Sequence, residues 1–370
     1  MNAVNTSLSA ELSHLVAESA SSGVTATFVV APKTVEEVAW VLAAAASHGA
    51  GVVPIGSGST LVDAKADVAL STENLAGVID YQPDDLTVVV GAGTRLSDLD
   101  AQLAGRGHTA VLPEQAPHRT VGGVVASGAS GYRRLKYGPT RDRVLEVTMA
   151  TGYGEVVRAG GRLVKNVTGY DISRLVTGSL GSLGVIGSVC LKLWPEPVFR
   201  RTVRVDDAAE VLTFLYKPVA ILETGEGCLV YLEGDEASVN LQAEEMKGEV
   251  AAGFVWPDVE AAPINVSLRL PAHHVAAGID SIDELEPSWF VAQHGVGIID
   301  MGLEEIDLSS VGRMREWAET LGGSLVVLGP GLTTQQKWGT PPSTLSIQKR
   351  LKDLFDPAGV CHPGVLPGGL

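Results

Sequence analysis

The sequence reads as an α+β protein built from two domains. Strands and helices follow one another from residue 24 to residue 197 around glycine-dense turns. Trp194-Pro195-Glu196-Pro197 then breaks the pattern, and the chain beyond it changes rhythm. That second half groups strands and helices in a way that indicates a sheet with helices on one face. A length of 370 residues fits such an arrangement. The expected divisions are an N-terminal helical segment over 1–23, a first domain over 24–197, a smaller α+β domain over 198–345 and a closing segment over 346–370.

Residues 8–20 are expected to form a short amphipathic helix, with Leu8, Leu12, Leu15 and Val16 on one side. A clearer helix begins near Thr34. Thr34 and Glu37 have capping-box spacing, and Val35, Val38, Leu42 and Ala45 make its apolar stripe as far as His48-Gly49. Gly51–Ile55 is a short buried strand running into Gly56-Ser57-Gly58-Ser59-Thr60-Leu61. Leu86–Val90 is a strand, and Thr94–Leu103 a helix that Gly105 ends. Val144–Ala150 and Glu155–Ala159 flank Gly152-Tyr153-Gly154 as a hairpin. Asp171–Thr177 is helical, and Val185–Leu193 is a strong strand. The second domain offers strands at 201–205, 219–222, 228–232, 264–270, 290–293, 297–301 and 325–328. Its helices fall at 207–216, 237–247 and 310–321. Thr333–Thr344 reads as a polar loop and Ser346–Phe355 as a last helix, stopped by Asp356-Pro357-Ala358-Gly359.

Composition excludes several classes. The formal net charge of -16 leaves no bulk attraction for nucleic acid or anionic membrane. The three cysteines are isolated, so no cluster or zinc motif and no disulfide framework is indicated. The first residues lack a basic segment, Glu11 and Glu18 interrupt their apolar positions, and no uncharged apolar run spans a bilayer. The expectation is a cytoplasmic protein without a direct membrane span, with peripheral attachment through a partner left open.

The chemistry concentrates in three glycine constellations. Gly56-Ser57-Gly58-Ser59-Thr60 follows a strand, as a phosphate-cradling loop does. Leu61 stands where a Rossmann fingerprint needs its third glycine, which argues against the usual NAD unit. Thr120–Gly131 holds five glycines with alanine and serine between them. Gly178, Gly181 and Gly184 precede an apolar strand. Each has an ordinary alternative: a tight turn, a plain loop, or close helix–strand contact. Together in one domain they read as main chain pressed against a flat charged cofactor, its amides holding phosphate oxygens. A dinucleotide cofactor in a flavoprotein is the expectation.

Residues 24–197 resemble, in order, the FAD-binding (PCMH-type) domain of the vanillyl-alcohol oxidase and p-cresol methylhydroxylase flavoproteins. The FAD-binding subunits of bacterial glycolate oxidase are the nearest resemblance. It is carried by Gly161-Arg162-Leu163-Val164-Lys165-Asn166-Val167-Thr168-Gly169-Tyr170-Asp171, by Leu175–Gly184 and by Leu191–Pro197. Asp356–Gly364 matches the closing motif, with His362 in place of the usual asparagine. The resemblance implies a two-lobed FAD domain, a small α+β cap and a C-terminal helix returning to the FAD domain. It implies that Ile55, Gly56, Ser57, Gly58, Ser59, Thr60 and Leu61 hold the pyrophosphate. Pro113, Glu114 and Ala116 would border the isoalloxazine. Thr120, Gly122, Gly123, Ala126, Ser127, Ser130 and Gly131 would wrap the diphosphate and ribityl chain, and Gly184 and Ile186 would meet the adenine end. The first glycine loop offers no histidine or cysteine for covalent attachment, so FAD is expected to be non-covalent. Gly122→Val is expected to abolish flavin retention by filling space the diphosphate needs.

By the same resemblance, the chain is the FAD-binding subunit of a glycolate (2-hydroxy acid) oxidase or dehydrogenase complex. Its partners would be a second flavin subunit and an iron–sulfur subunit. A free-standing FAD-dependent 2-hydroxy acid dehydrogenase or oxidase is the alternative, and a non-catalytic scaffold with an empty flavin site is a second. The residues give no catalytic set. His273 and His274 are adjacent and would face different sides of a strand or helix, and His294-Gly295-Val296-Gly297 lacks a second histidine, so no metal site is expected. His362 falls near the expected flavin entrance. Arg133, Arg134, Lys136, Arg141 and Arg143 read as a solvated basic surface, with docking of an acidic partner as the sharper reading. Lys165, Asn166, Tyr170 and Asp171 either border the flavin or fix their turn through Asx-type bonds.

Overall fold

The computed structural model describes residues 3–17, 24–60, 63–162 and 169–370. The chain divides into two compact units. The first comprises 1–131, 139–196 and 341–370, and the second 132–138 and 197–340.

The first unit holds two sheets. Strands β1 (Val16–Ala17), β2 (Val24–Val30), β3 (Val52–Ile55) and β4 (Ala64–Ser71) form one, in the order β1-β2-β4-β3. The pairs β2–β4 and β3–β4 are parallel, so a helical crossover must join β2 to β3. That helix is α2 (Val35–His48), which follows α1 (Ala3–Glu11). The Thr34 hydroxyl accepts from Glu37 N, the Glu37 carboxylate accepts from Lys33 N, and Gly49 closes the helix in the left-handed region. Val38, Val41, Leu42 and Ala45 are buried with Val52, Val68 and Leu70.

Strands β5 (Val78–Gln82), β6 (Thr87–Gly91), β7 (His108–Thr109), β8 (Val144–Ala150), β9 (Val156–Gly160), β10 (Val185–Lys192) and β11 (Trp194–Pro195) follow. β7 and β11 pair as a ribbon, and the others form an antiparallel sheet ordered β5-β6-β10-β8-β9. Helices α3 (Leu96–Ala104) and α4 (Val121–Ser127) bury Leu96, Leu99, Leu103, Val121, Val124 and Val125 with Val88, Val90, Val147 and Val189.

The second unit is one eight-stranded antiparallel sheet. Its strands are β12 (Phe199–Val205), β13 (Ala220–Thr224), β14 (Gly227–Gly234), β15 (Glu249–Ala252), β16 (Ile264–Arg269), β17 (Trp289–Gln293), β18 (Ile298–Leu303) and β19 (Ser324–Leu328). Their order is β15-β12-β14-β13-β17-β18-β16-β19. The alternating burial of Ile264–Arg269 marks a strand with a single face in the core.

Four sequence expectations change. The helix expected over 8–20 is α1, a 3-10 turn at Ser13–Leu15 and β1, because Leu12 and Leu15 turn inward while Val16 pairs with Val30; residues 18–20 lie outside the described ones. Thr120–Gly131 contains the helix α4 rather than an open loop. The Thr120 hydroxyl caps it on Gly123 N, and Gly128 ends it with φ 65°. The helix expected over 207–216 shortens to Ala208–Leu212. Thr333–Thr344 holds a helix at Thr334–Trp338, started by a capping box between Thr333 and Gln336.

The basic stretch is solvated only in part: Arg141 is exposed, while Arg134 and Lys136 are half-buried. Arg133 and Arg143 are 3% and 1% exposed. Arg133 lies over the Tyr137 ring and Arg143 over the Trp194 ring, while Lys136 reaches Glu233 at 3.2 Å.

Candidate functional site

The first unit contains an open cleft lined by main chain and mostly small side chains. Three elements build it. β3 delivers the segment Ile55–Thr60, and Thr72 holds its start, donating from both N and Oγ1 to the Ile55 carbonyl at 2.9 and 3.1 Å. α4 supplies Gly122, Gly123, Ala126 and Ser127. The turn before β10 supplies Leu180, Gly181 and Gly184, and hangs from α4 through Gly178 N to Val125 O and Leu180 N to Ala126 O.

Among the described residues, the main-chain amides of Ser57, Gly58 and Ser59 donate to no protein acceptor. Half-buried amides such as those of Ser57 and Gly58 are normally satisfied, while Ser59 is exposed. Three unspent donors in succession, with Gly58 at φ 75°, make a concave anion seat. The hydroxyls of Ser57, Ser59 and Thr60 add to it, and no charged side chain lines the cleft.

Of the residues expected at a cofactor, the cleft brings together Ile55, Ser57, Gly58, Ser59, Thr60, Gly122, Gly123, Ala126, Ser127, Gly184 and Ile186. Pro54, Thr72, Ala92, Leu180, Gly181 and Val185 join them without having been expected. Gly56, Pro113, Glu114, Ala116, Thr120, Ser130 and Gly131 stand outside the lining. Ser130 Oγ accepts from Thr140 N at 3.0 Å. Gly131 lies against Pro113, and a Cβ on it would fall 3.0 Å from Pro113 Cα. Leu61 and residues 163–168 lie outside the described residues.

The glycines act differently from the simple expectation. A Cβ on Gly122 would fall 2.6 Å from Ala92 Cβ and 2.9 Å from Ala92 O, and Gly122 N donates to Ala92 O at 2.7 Å. A Cβ on Gly56 would strike Thr120 Oγ1. Both glycines let one segment of protein approach another, and the cleft is the consequence.

Arg119 was not anticipated. Its Nη2 donates to Thr60 Oγ1 at 2.8 Å and to Ser127 Oγ at 2.9 Å. The sequence signal was a lone cation directly before Thr120-Val121-Gly122-Gly123.

The C-terminal helix Leu345–Phe355 belongs to this same unit. Buried Lys352 Nζ donates to Ser182 O, Cys361 O and the Asp356 carboxylate at 2.7, 2.6 and 2.6 Å. Asp356 also accepts from Val360 N and Cys361 N. His362 is buried, its Nδ1 bonded to Leu180 O at 2.7 Å, and so braces the cleft wall. Tyr170 is 94% exposed, and Asp171 caps a short helix through Arg174 N. In the second unit, His294 pairs with Glu223 at 2.7 Å. No group of metal-binding residues occurs among the described residues.

Comparison with known proteins agrees with this geometry. Residues 26–160 match the family model described as an FAD binding domain. The chain is 30% identical to glycolate oxidase subunit GlcE of Escherichia coli (strain K12) over 306 residues, 78% of this chain and 84% of that one. The chain belongs to the PCMH-type FAD-binding flavoproteins. These are FAD-dependent oxidoreductases, and relatives of this flavoprotein act within the 2-hydroxy acid group. Glycolate oxidase subunit GlcD of Bacillus subtilis (strain 168) is 30% identical over half of this chain, which spans 42% of that protein. A D-lactate dehydrogenase of Archaeoglobus fulgidus is 28% identical over 74% of this chain and 58% of its own length. Among solved structures, alkyldihydroxyacetonephosphate synthase shares the fold, with a TM-score of 0.66 at 17% identity, covering 91% of this chain and 75% of that one.

The cleft fits FAD. Its unspent amides suit a diphosphate, and its apolar wall of Ile55, Leu180, Val185 and Ile186 suits a ring system. No helix among the described residues is long and apolar enough to cross a membrane.

Proposed function

We propose that this flavoprotein is the FAD-binding subunit of a glycolate (2-hydroxy acid) oxidase or dehydrogenase complex, and that it holds FAD non-covalently. The observation that carries the reading is the match to GlcE along 84% of that protein, coinciding with a cleft of unspent amides. The segment Ile55–Thr60 and the helix α4 would hold the diphosphate, with Gly184 and Ile186 toward the adenine. Bound FAD supplies a two-electron acceptor for oxidation of a hydroxyl-bearing carbon. The chain's own part is to seat the cofactor and exclude water from it. Electrons then leave through a partner, for which a second flavin subunit and an iron–sulfur subunit are the candidates. The absence of cysteine and histidine from Gly56–Thr60 supports non-covalent attachment.

The D-lactate dehydrogenase match favours a second reading, a free-standing 2-hydroxy acid dehydrogenase. Acid precipitation and reconstitution separate the readings. FAD should pass into the acid supernatant. The isolated yellow chain should fail to reduce a dye with glycolate or D-lactate, and a partner flavin subunit should restore turnover. Full turnover by the chain alone would overturn the subunit reading, and a colourless chain that takes up no FAD would leave only a scaffold.

A further inference from the structure

We infer that Arg119 supplies the positive charge for the diphosphate seat, as a positioning residue that works through the hydroxyl of Thr60 and is held in place by that of Ser127. The inference rests on the reading of the cleft as an FAD site. Arg119 Nη2 donates to both hydroxyl oxygens, at 2.8 and 2.9 Å, and both residues line the cleft. Its Nε is buried without a hydrogen-bond partner. Among the described residues no carboxylate pairs with it, in a chain that carries 43 acidic residues. A partly buried guanidinium without a counter-charge is costly, and proteins ordinarily pair such groups. Burial holds the group below its usual pKa, yet arginine stays charged at neutral pH. The missing counter-ion is therefore an anion that arrives in the cleft.

The hydrogen bonds say how the charge is delivered. Ser127 Oγ receives from Arg119 and donates its own proton to Gly123 O at 2.7 Å. Thr60 Oγ1 receives from Arg119 and keeps its proton free to donate. The cation thus polarises Thr60 as a donor beside the unspent amides of Ser57, Gly58 and Ser59. The backbone fixes the arginine on both sides: Arg119 N donates to Ala116 O, and Arg119 O accepts from Leu96 N. The turn from Pro113 to Arg119 aims this cation.

The test is equilibrium binding of FAD and of riboflavin, which lacks phosphate, to the apo-protein. The proteins are wild type, Arg119→Gln and Arg119→Lys. Gln keeps a donor for the two hydroxyls and removes the charge. Arg119→Gln should weaken FAD about 10-fold or more while riboflavin changes less than about 2-fold, and Arg119→Lys should recover part of the loss. Unchanged FAD affinity in Arg119→Gln overturns the inference, and so does an equal loss for both ligands, which would mark a packing role. Wild type that binds no FAD overturns the seat itself, a distinct result. Should Arg119→Gln fail to fold, wild type decides: FAD affinity should fall with added salt while riboflavin's does not, and a constant ratio overturns the inference.

Discussion

Replacing Asp356 by alanine should unfold the first unit at a markedly lower temperature. The carboxylate is 1% exposed and receives Lys352 Nζ, Val360 N and Cys361 N at 2.6, 2.9 and 2.7 Å. Its loss leaves a buried ammonium without its counter-charge and two buried amides without acceptors. Removing one partner of such a pair costs about 3–5 kcal/mol. A unit of roughly 220 residues has an unfolding entropy near 0.46 kcal/mol/K, so the midpoint should drop by about 7–11 °C. Differential scanning calorimetry of the apo-protein measures it directly. Lys352→Met with Asp356→Leu should be less damaging than Asp356→Ala alone, because no charge is stranded. A midpoint within about 2 °C of wild type for Asp356→Ala would refute the view that this network clamps the C-terminal helix.

Gly122→Val should destabilise the apo-protein by about 1–3 kcal/mol through overlap with Ala92, seen as a lower urea midpoint before any flavin is added. A normal midpoint combined with lost flavin would restore the simpler view that the side chain enters the cleft. The three free cysteines are buried, and burial pushes the Cys190 thiol up to about 11 and Cys228 to about 12. The folded chain should resist a thiol reagent at pH 8, and all three should react on unfolding. These raised values also fix a sign: the unfolded chain loses thiol protons first, so stability should be full below about pH 9 and decline as pH rises toward 11. A flat urea midpoint between pH 8 and 11 would contradict it.

Much of the fold was legible because local chemistry and tertiary role agree. Thr34 and Glu37 announced α2, and Gly152-Tyr153-Gly154 announced the hairpin of β8 and β9. The glycine constellations located the cleft. The sequence was harder to read where context overrides propensity. Val121-Gly122-Gly123-Val124-Val125 is a poor helix by composition, and it is helical because Thr120 caps it and its valines fill the core. β2 and β4 went unread because they pair in parallel across α2, and Ala64–Ser71 carries little β-propensity. Arg143 looked solvated because charge is usually exposed, and nothing local announces the distant Trp194 ring against which it lies. The cleft's main-chain wall was visible from the glycines, but its cation was not, since Arg119 gains meaning only from Thr60, which is distant in sequence.

The most direct measurement is amide hydrogen exchange of the apo-chain during titration with FAD. Binding should saturate at one FAD per chain, with slowed exchange at Ser57, Gly58 and Ser59, the donors left unspent by the fold. FAD binding that leaves those three amides exchanging as before, or no binding at all, would contradict that expectation.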